Sequence, residues 1–349
     1  MNFASDNWAG AAAPIAAALA EIGHEPAPAY GGDDITRDVE TALSELFEHE
    51  VAAFLVPTGT AANALGLTAL VRPGGLVFCH DEAHINTDEG GATEFLTDLK
   101  LIGLAGEDGK LTPESLAAAI DRYPPDPGRH GQPVVLSLTN LTEFGTGYTP
   151  SEVAVLADQA HQVGLAVHLD GARFANAVLG LSASPADLTW KAGVDVLSFG
   201  GTKNGCWQAE AVVFFDTARA IDFAFIRKRA GHVVSKHRFI AAQMKAYLEA
   251  DLWLRLAGHA NHMADRLREG IVATGGRLPA DFVGNETFAI LPRTAIAAAR
   301  AAGATFYEWT ADSVAPAKRP SADEEIIRLV TSFATTSEDV DRFLSAIGA

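Results

Sequence analysis

The chain has 349 residues, 48% hydrophobic and 20% charged, with a formal net charge of −18 at pH 7. This composition is ordinary for a soluble globular protein, and the length suits a large α/β domain plus a smaller one. The scarcity of Lys and Arg argues against nucleic-acid binding, while two cysteines, Cys79 and Cys206, allow neither a disulfide framework nor a four-cysteine zinc site, so a reducing cytoplasm is expected.

The alanine-rich run 10–20 contains Pro14 and has no Lys or Arg before Arg37, so it reads as a short helix and not as a secretory leader. A helix is expected over 38–47, a strand over 52–56, a helix over 60–70, and strands over 75–78 and 100–104. A helix over 113–121 leads into a polar, proline-rich surface loop, 123–133, and a strand over 134–138. Thr149 and Pro150 supply an N-cap and a first-turn proline for a helix over 150–162. Strands follow over 165–169, 194–199 and 211–215. The character then changes: helices over 218–229, 235–255 and 258–274, short strands over 286–291 and 326–331, and a terminal helix from Ser337. Alternation of strands and helices implies a seven-stranded, mixed and mostly parallel sheet with crossover helices. The expected division is an N-terminal arm (1–25), a large domain (26–250) and a small C-terminal α/β domain (251–349). No apolar stretch is long enough to span a bilayer.

Chemistry concentrates around Lys203, in a polar turn, Gly200-Gly201-Thr202-Lys203-Asn204-Gly205, between two apolar strands. Upstream, Asp170 ends another apolar strand and is followed by Gly171-Ala172-Arg173. Taken alone, Lys203 reads better as a solvated turn residue and Asp170 as a helix N-cap. Together they suit pyridoxal phosphate, whose aldehyde needs a lysine and whose ring nitrogen needs an acid. Arg173 is placed to meet the ring hydroxyl or a substrate carboxylate, the alternative being an ion pair with Asp170. Pro57-Thr58-Gly59-Thr60-Ala61-Ala62-Asn63 joins a strand to a helix, so the amides of Thr58, Gly59 and Thr60 form a phosphate cup. The spaced-glycine dinucleotide fingerprint is absent, which disfavours a nicotinamide oxidoreductase. His84, just past a strand end, is placed to stack on the pyridine ring. Cys79, His80 and His84 do not match a usual zinc pattern, and no metal is expected.

These segments carry a resemblance. Ser5-Asp6-Asn7, Tyr30-Gly31-Gly32-Asp33-Asp34, the cup 57–63, His168-Leu169-Asp170-Gly171-Ala172-Arg173 and Thr202-Lys203 occur in the order seen in low-specificity threonine aldolases, and the resemblance extends to Arg328-Leu329-Val330-Thr331-Ser332-Phe333. Residues 189–195, 227–232 and 332–336 are similar to the phenylserine aldolase branch. The resemblance implies the aspartate-aminotransferase-like fold type I of pyridoxal phosphate enzymes, and cleavage of a β-hydroxy-α-amino acid such as L-threonine, L-allo-threonine or L-phenylserine to glycine and an aldehyde. It makes Lys203 the Schiff-base lysine, Asp170 the ring-nitrogen partner and His84 the stacking histidine; His84 is further expected to act as the base, directly or through a water. Lys236 or Arg238 is expected to reach the phosphate from a neighbouring subunit, and Ser5, Arg173 and Arg328 to hold the substrate carboxylate. A homotetramer with sites at a subunit interface is implied. One departure stands out: many threonine aldolases carry a second histidine after the strand that ends at Leu138, whereas here the stretch is Thr139-Asn140-Leu141-Thr142-Glu143. Thr142, Glu143 or a water must then meet the β-hydroxyl. Competing expectations are an aminotransferase or β-eliminating lyase, and a non-catalytic binding module on the same fold.

Overall fold

Buried apolar runs become strands, and the alanine-rich or amphipathic runs between them become helices. The computed structural model describes residues 1–24, 26–312 and 314–348. Glu25 and Ala349, at the limits of the expected arm and small domain, lie outside the described residues. Chain order begins with α1 (Ala13–Glu21), α2 (Asp34–Leu46), β1 (Ala52–Val56), α3 (Gly59–Thr68) and β2 (Gly75–His80). Short helices α4 (His84–Thr87) and α5 (Ala92–Thr97) precede β3 (Lys100–Leu104), α6 (Pro113–Arg122), β4 (Gln132–Thr139), α7 (Pro150–Gln162) and β5 (Ala166–Gly171). Then come α8 (Phe174–Gly180), β6 (Val196–Gly200), β7 (Glu210–Phe214), α9 (Phe223–Arg229), α10 (Arg238–Leu248) and α11 (Leu252–Ala273). The last part holds β8 (Glu286–Pro292), α12 (Arg293–Ala301), β9 (Tyr307–Glu308), β10 (Glu324–Val330) and α13 (Ser337–Ile347). Among the described residues no helix is long and apolar enough to cross a membrane.

All seven expected strands join one sheet, in the order β1-β7-β6-β5-β4-β2-β3. Strand β7 runs antiparallel to both its neighbours, β1 and β6, and the other pairs are parallel. Six of the seven strands therefore share one carboxyl edge, where ligands bind in open α/β sheets. Thr58 follows β1 at this edge, His84 follows β2, Glu143 follows β4, Asp170 lies near the end of β5, and Lys203 follows β6. Helix α3 sits close to the sheet because its buried face is small. A methyl group at Gly66 would already touch Val196 and Val212 side chains at 3.4 Å.

The second sheet, β8-β10-β9, is antiparallel. Its core gathers Leu267, Ile271, Ile327, Leu329 and Phe343 around Phe3 of the N-terminal segment. Phe3 is held there by its own backbone: its N–H donates to Thr305 O (2.8 Å) and its carbonyl accepts from Val330 N–H (2.9 Å).

Helix α7 has the expected bounds because its signals are local: a Thr149/Glu152 capping box and Pro150 in the first turn. The helices after β7 differ from expectation. Residues 218–229 split into a 3-10 turn, Thr217–Ala220, and α9. The helix expected over 235–255 ends at Leu248, because Ala250 and Asp251 adopt left-handed conformations (φ 48° and 56°). Helix α11 then runs unbroken through Gly258. Asn204, beside Lys203, pins this break by donating to Tyr247 Oη and Trp253 O, both at 2.8 Å.

Strands β5 and β6 approach so closely at the carboxyl edge that side chains are excluded. A methyl group on Gly200 would lie 2.5 Å from Ala172 O, and one on Gly171 would lie 2.8 Å from Ser198 O. Gly200→Ala is therefore expected to cost about 1–3 kcal/mol of stability through overpacking, read as a lower midpoint of thermal unfolding.

Candidate active site

At the shared carboxyl edge lies a cleft of about 270 Å³, lined among others by Thr58, Gly59, Thr60, His84, Asp170 and Lys203. Thr58 caps α3, its hydroxyl accepting from Ala61 N–H at 3.1 Å. The amides of Gly59 and Thr60, in the first turn, have no acceptor within the helix and carry its positive end. A Cβ at Gly59 would meet nothing within 4 Å, so the cup is open toward the cleft.

Asp170 is not ion-paired with Arg173. Its Oδ2 accepts from Asn63 Nδ2 (2.7 Å) and its Oδ1 from Ala172 N–H (2.9 Å). Asn63 also donates to Glu89 Oε1 (2.8 Å), and the same oxygen accepts from His84 Nδ1 (2.9 Å). The Glu89 hydrogen bond raises the His84 pKa, burial opposes it, and the Glu143 charge adds to the rise. With Nδ1 committed to Glu89, Nε2 is the nitrogen left to accept a proton. Behind Asp170 on the same face of β5, His168 lies between Ser137 Oγ (2.9 Å) and Ser198 Oγ (3.0 Å), and burial pulls its pKa down to about 4.

Lys203 sits on the 3-10 turn Thr202–Asn204. The buried carboxylate of Glu210 accepts from Gly201 N–H (3.2 Å) and Thr202 N–H (3.3 Å), tying the turn to β7. Burial pushes the Glu210 carboxyl up to about 7, against the downward pull of Thr202, these amides and Lys203.

The structure separates the two candidates for the β-hydroxyl. Thr142 is buried, and its hydroxyl pairs with Thr146 Oγ1 at 2.8 Å. Gly145 N–H donates to Thr142 O at 2.9 Å, closing a turn with Glu143 at its second position. Burial pushes the Glu143 carboxyl up to about 7, while Lys203 and His84 pull the other way.

Arg173 lies outside the residues lining the cleft. Its Nε and Nη2 grip Asp6 at 2.8 and 3.1 Å, and its Nη1 faces Glu286 Oε2 at 3.0 Å. Burial would lower the Arg173 pKa, but these carboxylates raise it; reciprocally, Arg173 and Lys203 hold Asp6 below the usual carboxylate range despite burial. The Arg173 guanidinium is thus engaged by two carboxylates of its own chain. Arg328 differs: it stacks on Trp309 (4.6 Å) and Tyr307 (5.6 Å), touches Ala4 O at 3.4 Å, and has no carboxylate partner among the described residues. Ser5, next to Ala4, caps the short turn Asp6–Trp8 by accepting from Asn7 N–H. Neither Lys236 nor Arg238, near the start of α10, lines the cleft of its own chain. His80 turns away from His84, accepting from Glu82 N–H and donating to Gly106 O, and Cys79 is buried in a separate apolar cluster.

The donor set fits pyridoxal phosphate: an amine, a buried carboxylate, an imidazole and an open helix-terminal cup converge on one cleft. The sequence profile of the beta-eliminating lyase family matches residues 2–291. The low specificity L-threonine aldolase of Pseudomonas aeruginosa is 42% identical over 315 residues, spanning 88% of this chain and 89% of that protein. The chain belongs to the threonine aldolases of this family. A threonine aldolase structure from Leishmania major superposes with a TM-score of 0.91 at 26% identity, covering 99% of this chain and 98% of that one. An aspartate aminotransferase from Thermus thermophilus shares the fold, with a TM-score of 0.69 at 16% identity over 97% of this chain and 88% of that one. As a threonine aldolase family member the chain is a pyridoxal phosphate-dependent lyase of fold type I.

Asn63, Glu89, Glu210 and Asp6 had no assigned role in the sequence reading. Glu89 carried the one local signal, a carboxylate five residues after His84. Arg173→Leu is expected to strand two buried carboxylates, Asp6 and Glu286, and to cost about 3–5 kcal/mol. The loss would show as a lower unfolding temperature and faster proteolysis of the N-terminal segment.

Proposed function

We propose that this chain cleaves β-hydroxy-α-amino acids of the threonine and allo-threonine type, and L-phenylserine, to glycine and the corresponding aldehyde. The observation that carries the reading is the juxtaposition of Lys203 and Asp170 with the Glu89-bound His84 in one cleft. Pyridoxal phosphate, when bound, supplies the electron sink for the pair released as the Cα–Cβ bond breaks. When bound, the group would have its aldehyde carbon at Lys203 Nζ, its ring nitrogen facing the Asp170 carboxylate, and its phosphate in the cup of Thr58, Gly59 and Thr60. Arg328 and Ser5 hold the substrate carboxylate, which suits an arginine without a carboxylate partner among the described residues. His84 Nε2 takes the proton of the β-hydroxyl as the aldehyde leaves, Glu89 steadies the imidazolium through Nδ1, and Glu143 orients the hydroxyl. A proton equivalent to the one taken from the β-hydroxyl is then delivered to Cα, completing glycine.

The proposed assembly is a homotetramer with sites at a subunit interface. Support comes from the exposed Trp8, Tyr30, Trp207 and Phe225 side chains, and from Lys236 and Arg238, which lie outside their own cleft and suit a phosphate in the neighbouring one. Buried, unpaired Cys79 and Cys206 suit a reducing cytoplasm.

The deciding experiment supplies L-threonine, L-allo-threonine and L-phenylserine to the purified protein and assays glycine and aldehyde. Ammonia release, or conversion of the cofactor to its amine form, would instead mark an eliminase or aminotransferase. Lys203→Ala is expected to abolish the cofactor's absorbance band and turnover together, and His84→Ala to lower kcat by about a hundred- to ten-thousand-fold. His84 and Glu143 both act deprotonated; the Glu143 charge raises the His84 pKa and burial pushes the Glu143 carboxyl up to about 7, so kcat/KM should rise with pH through a limb near neutral. Glu143→Gln removes a group titrating at about 7 and a negative charge that raises the His84 pKa. The limb should accordingly move to lower pH, as measured by a pH-rate profile.

A further inference from the structure

Within α3 the residues Ala61, Ala62, Ala64, Leu65, Gly66 and Leu67 are buried and small or apolar, and Asn63, equally buried, is the polar exception. Its one nitrogen donates to two carboxylates from separate segments, Asp170 Oδ2 at 2.7 Å and Glu89 Oε1 at 2.8 Å. The orientation of the amide follows from this pairing: a flipped amide would set its oxygen against two carboxylates, whereas Nδ2 has two hydrogens to give. The Oδ1 atom is buried without a partner, as is Glu89 Oε2, so the side chain is not there to satisfy its own oxygen. Both acceptors are themselves buried, and a buried carboxylate that loses a donor bears a large desolvation cost. The amide therefore sits on a hydrogen-bonded path, His84 Nδ1, Glu89 Oε1, Asn63 Nδ2, Asp170 Oδ2.

We propose that Asn63 is a positioning residue that couples the His84–Glu89 pair to Asp170, its one amide holding both carboxylates so that the charge at one end sets the proton affinity at the other. The consequence is chemical. His84 must gain a proton while Asp170 must keep its partner protonated, and a shared donor makes these demands respond to each other. The proposal rests on Asp170 facing the cofactor's ring nitrogen. It is independent of which hydroxy amino acid is cleaved, since neither readout below uses turnover.

Other charges also act on His84, namely Glu143, Lys203 and Asp170 through space, so the test must isolate Asn63. The full-length holoenzyme labelled with ¹³C-histidine reports the His84 titration midpoint, its resonance identified by loss in His84→Asn. The absorbance maximum of the bound cofactor reports the Asp170 end. In Asn63→Leu, of similar size but without a donor, Glu89 has only His84 to bind, and the His84 midpoint is expected to rise by about one pH unit. The cofactor band is expected to shift in the same variant. Adding Glu89→Gln in the Asn63→Leu background should no longer move the band, although Glu89→Gln alone does. If Asn63→Leu does not fold, Asn63→Ala is measured in the same way. Loss of cofactor binding with a raised His84 midpoint would also support the coupling. A folded variant with an unmoved His84 midpoint, or a band that responds equally to Glu89→Gln in both backgrounds, would overturn it. So would failure of both Asn63 variants to fold, which would make the residue part of the structural core alone.

Discussion

A guanidinium buried in protein must be neutralised on the spot, and the way Arg173 meets that demand organises the molecule. Its two carboxylate partners come from different places: Asp6 from the N-terminal segment and Glu286 from the start of β8 in the second sheet. Asn285 adds a donor to Asp6 at 3.1 Å. One charge thus ties the carboxyl end of β5, the chain's first residues and the second sheet together, immediately beside the Asp170 turn. Replacing such a cluster with apolar groups can be neutral, but removing one member leaves the others uncompensated. The same cluster draws Ser5 and Ala4 toward Arg328, the arginine that stays without a carboxylate partner among the described residues.

The candidate cleft is built by a different constraint, the shared polarity of the parallel strands. Because β1, β2, β4, β5 and β6 end on one edge, loops far apart in sequence deliver a phosphate cup, an imidazole, two carboxylates and a lysine to one region. Strand β7 is the exception. By running back between β6 and β1 it allows the Lys203 segment to be a short turn instead of a crossover helix, and its Glu210 carboxylate fastens that turn by two amides. Gly171 and Gly200 let β5 and β6 carry Asp170 and Lys203 side by side with no side chain between their backbones.

The seven strands of the large sheet and most of the helices between them were legible because their signals are local: apolar runs, a capping box at Thr149, proline in the first turn. The break at Ala250 and Asp251 was not, since nothing in those residue types demands a left-handed backbone. Contacts made by Asn204 and Trp253 hold it there. Within the cleft, the strand-end residues Thr58, His84, Asp170 and Lys203 were recoverable from their position after apolar runs. Asp6 and Arg173 meet across 167 residues of sequence, so their pairing is a product of the tertiary fold. Likewise, Thr142 and Glu143 were equivalent on paper until the Thr146 hydroxyl claimed one of them.

The Asp6–Arg173–Glu286 cluster also imposes an order of events on a chain made from its amino end. Asp6 leaves the ribosome first, Arg173 much later and Glu286 later still. Until the second sheet has been synthesised, Arg173 lacks Glu286, and Phe3 lacks the Thr305 and Val330 backbone groups that hold it. A nascent chain arrested before β8 should therefore keep the segment around Phe3 and Asp6 mobile, with its docking left until the second sheet is made.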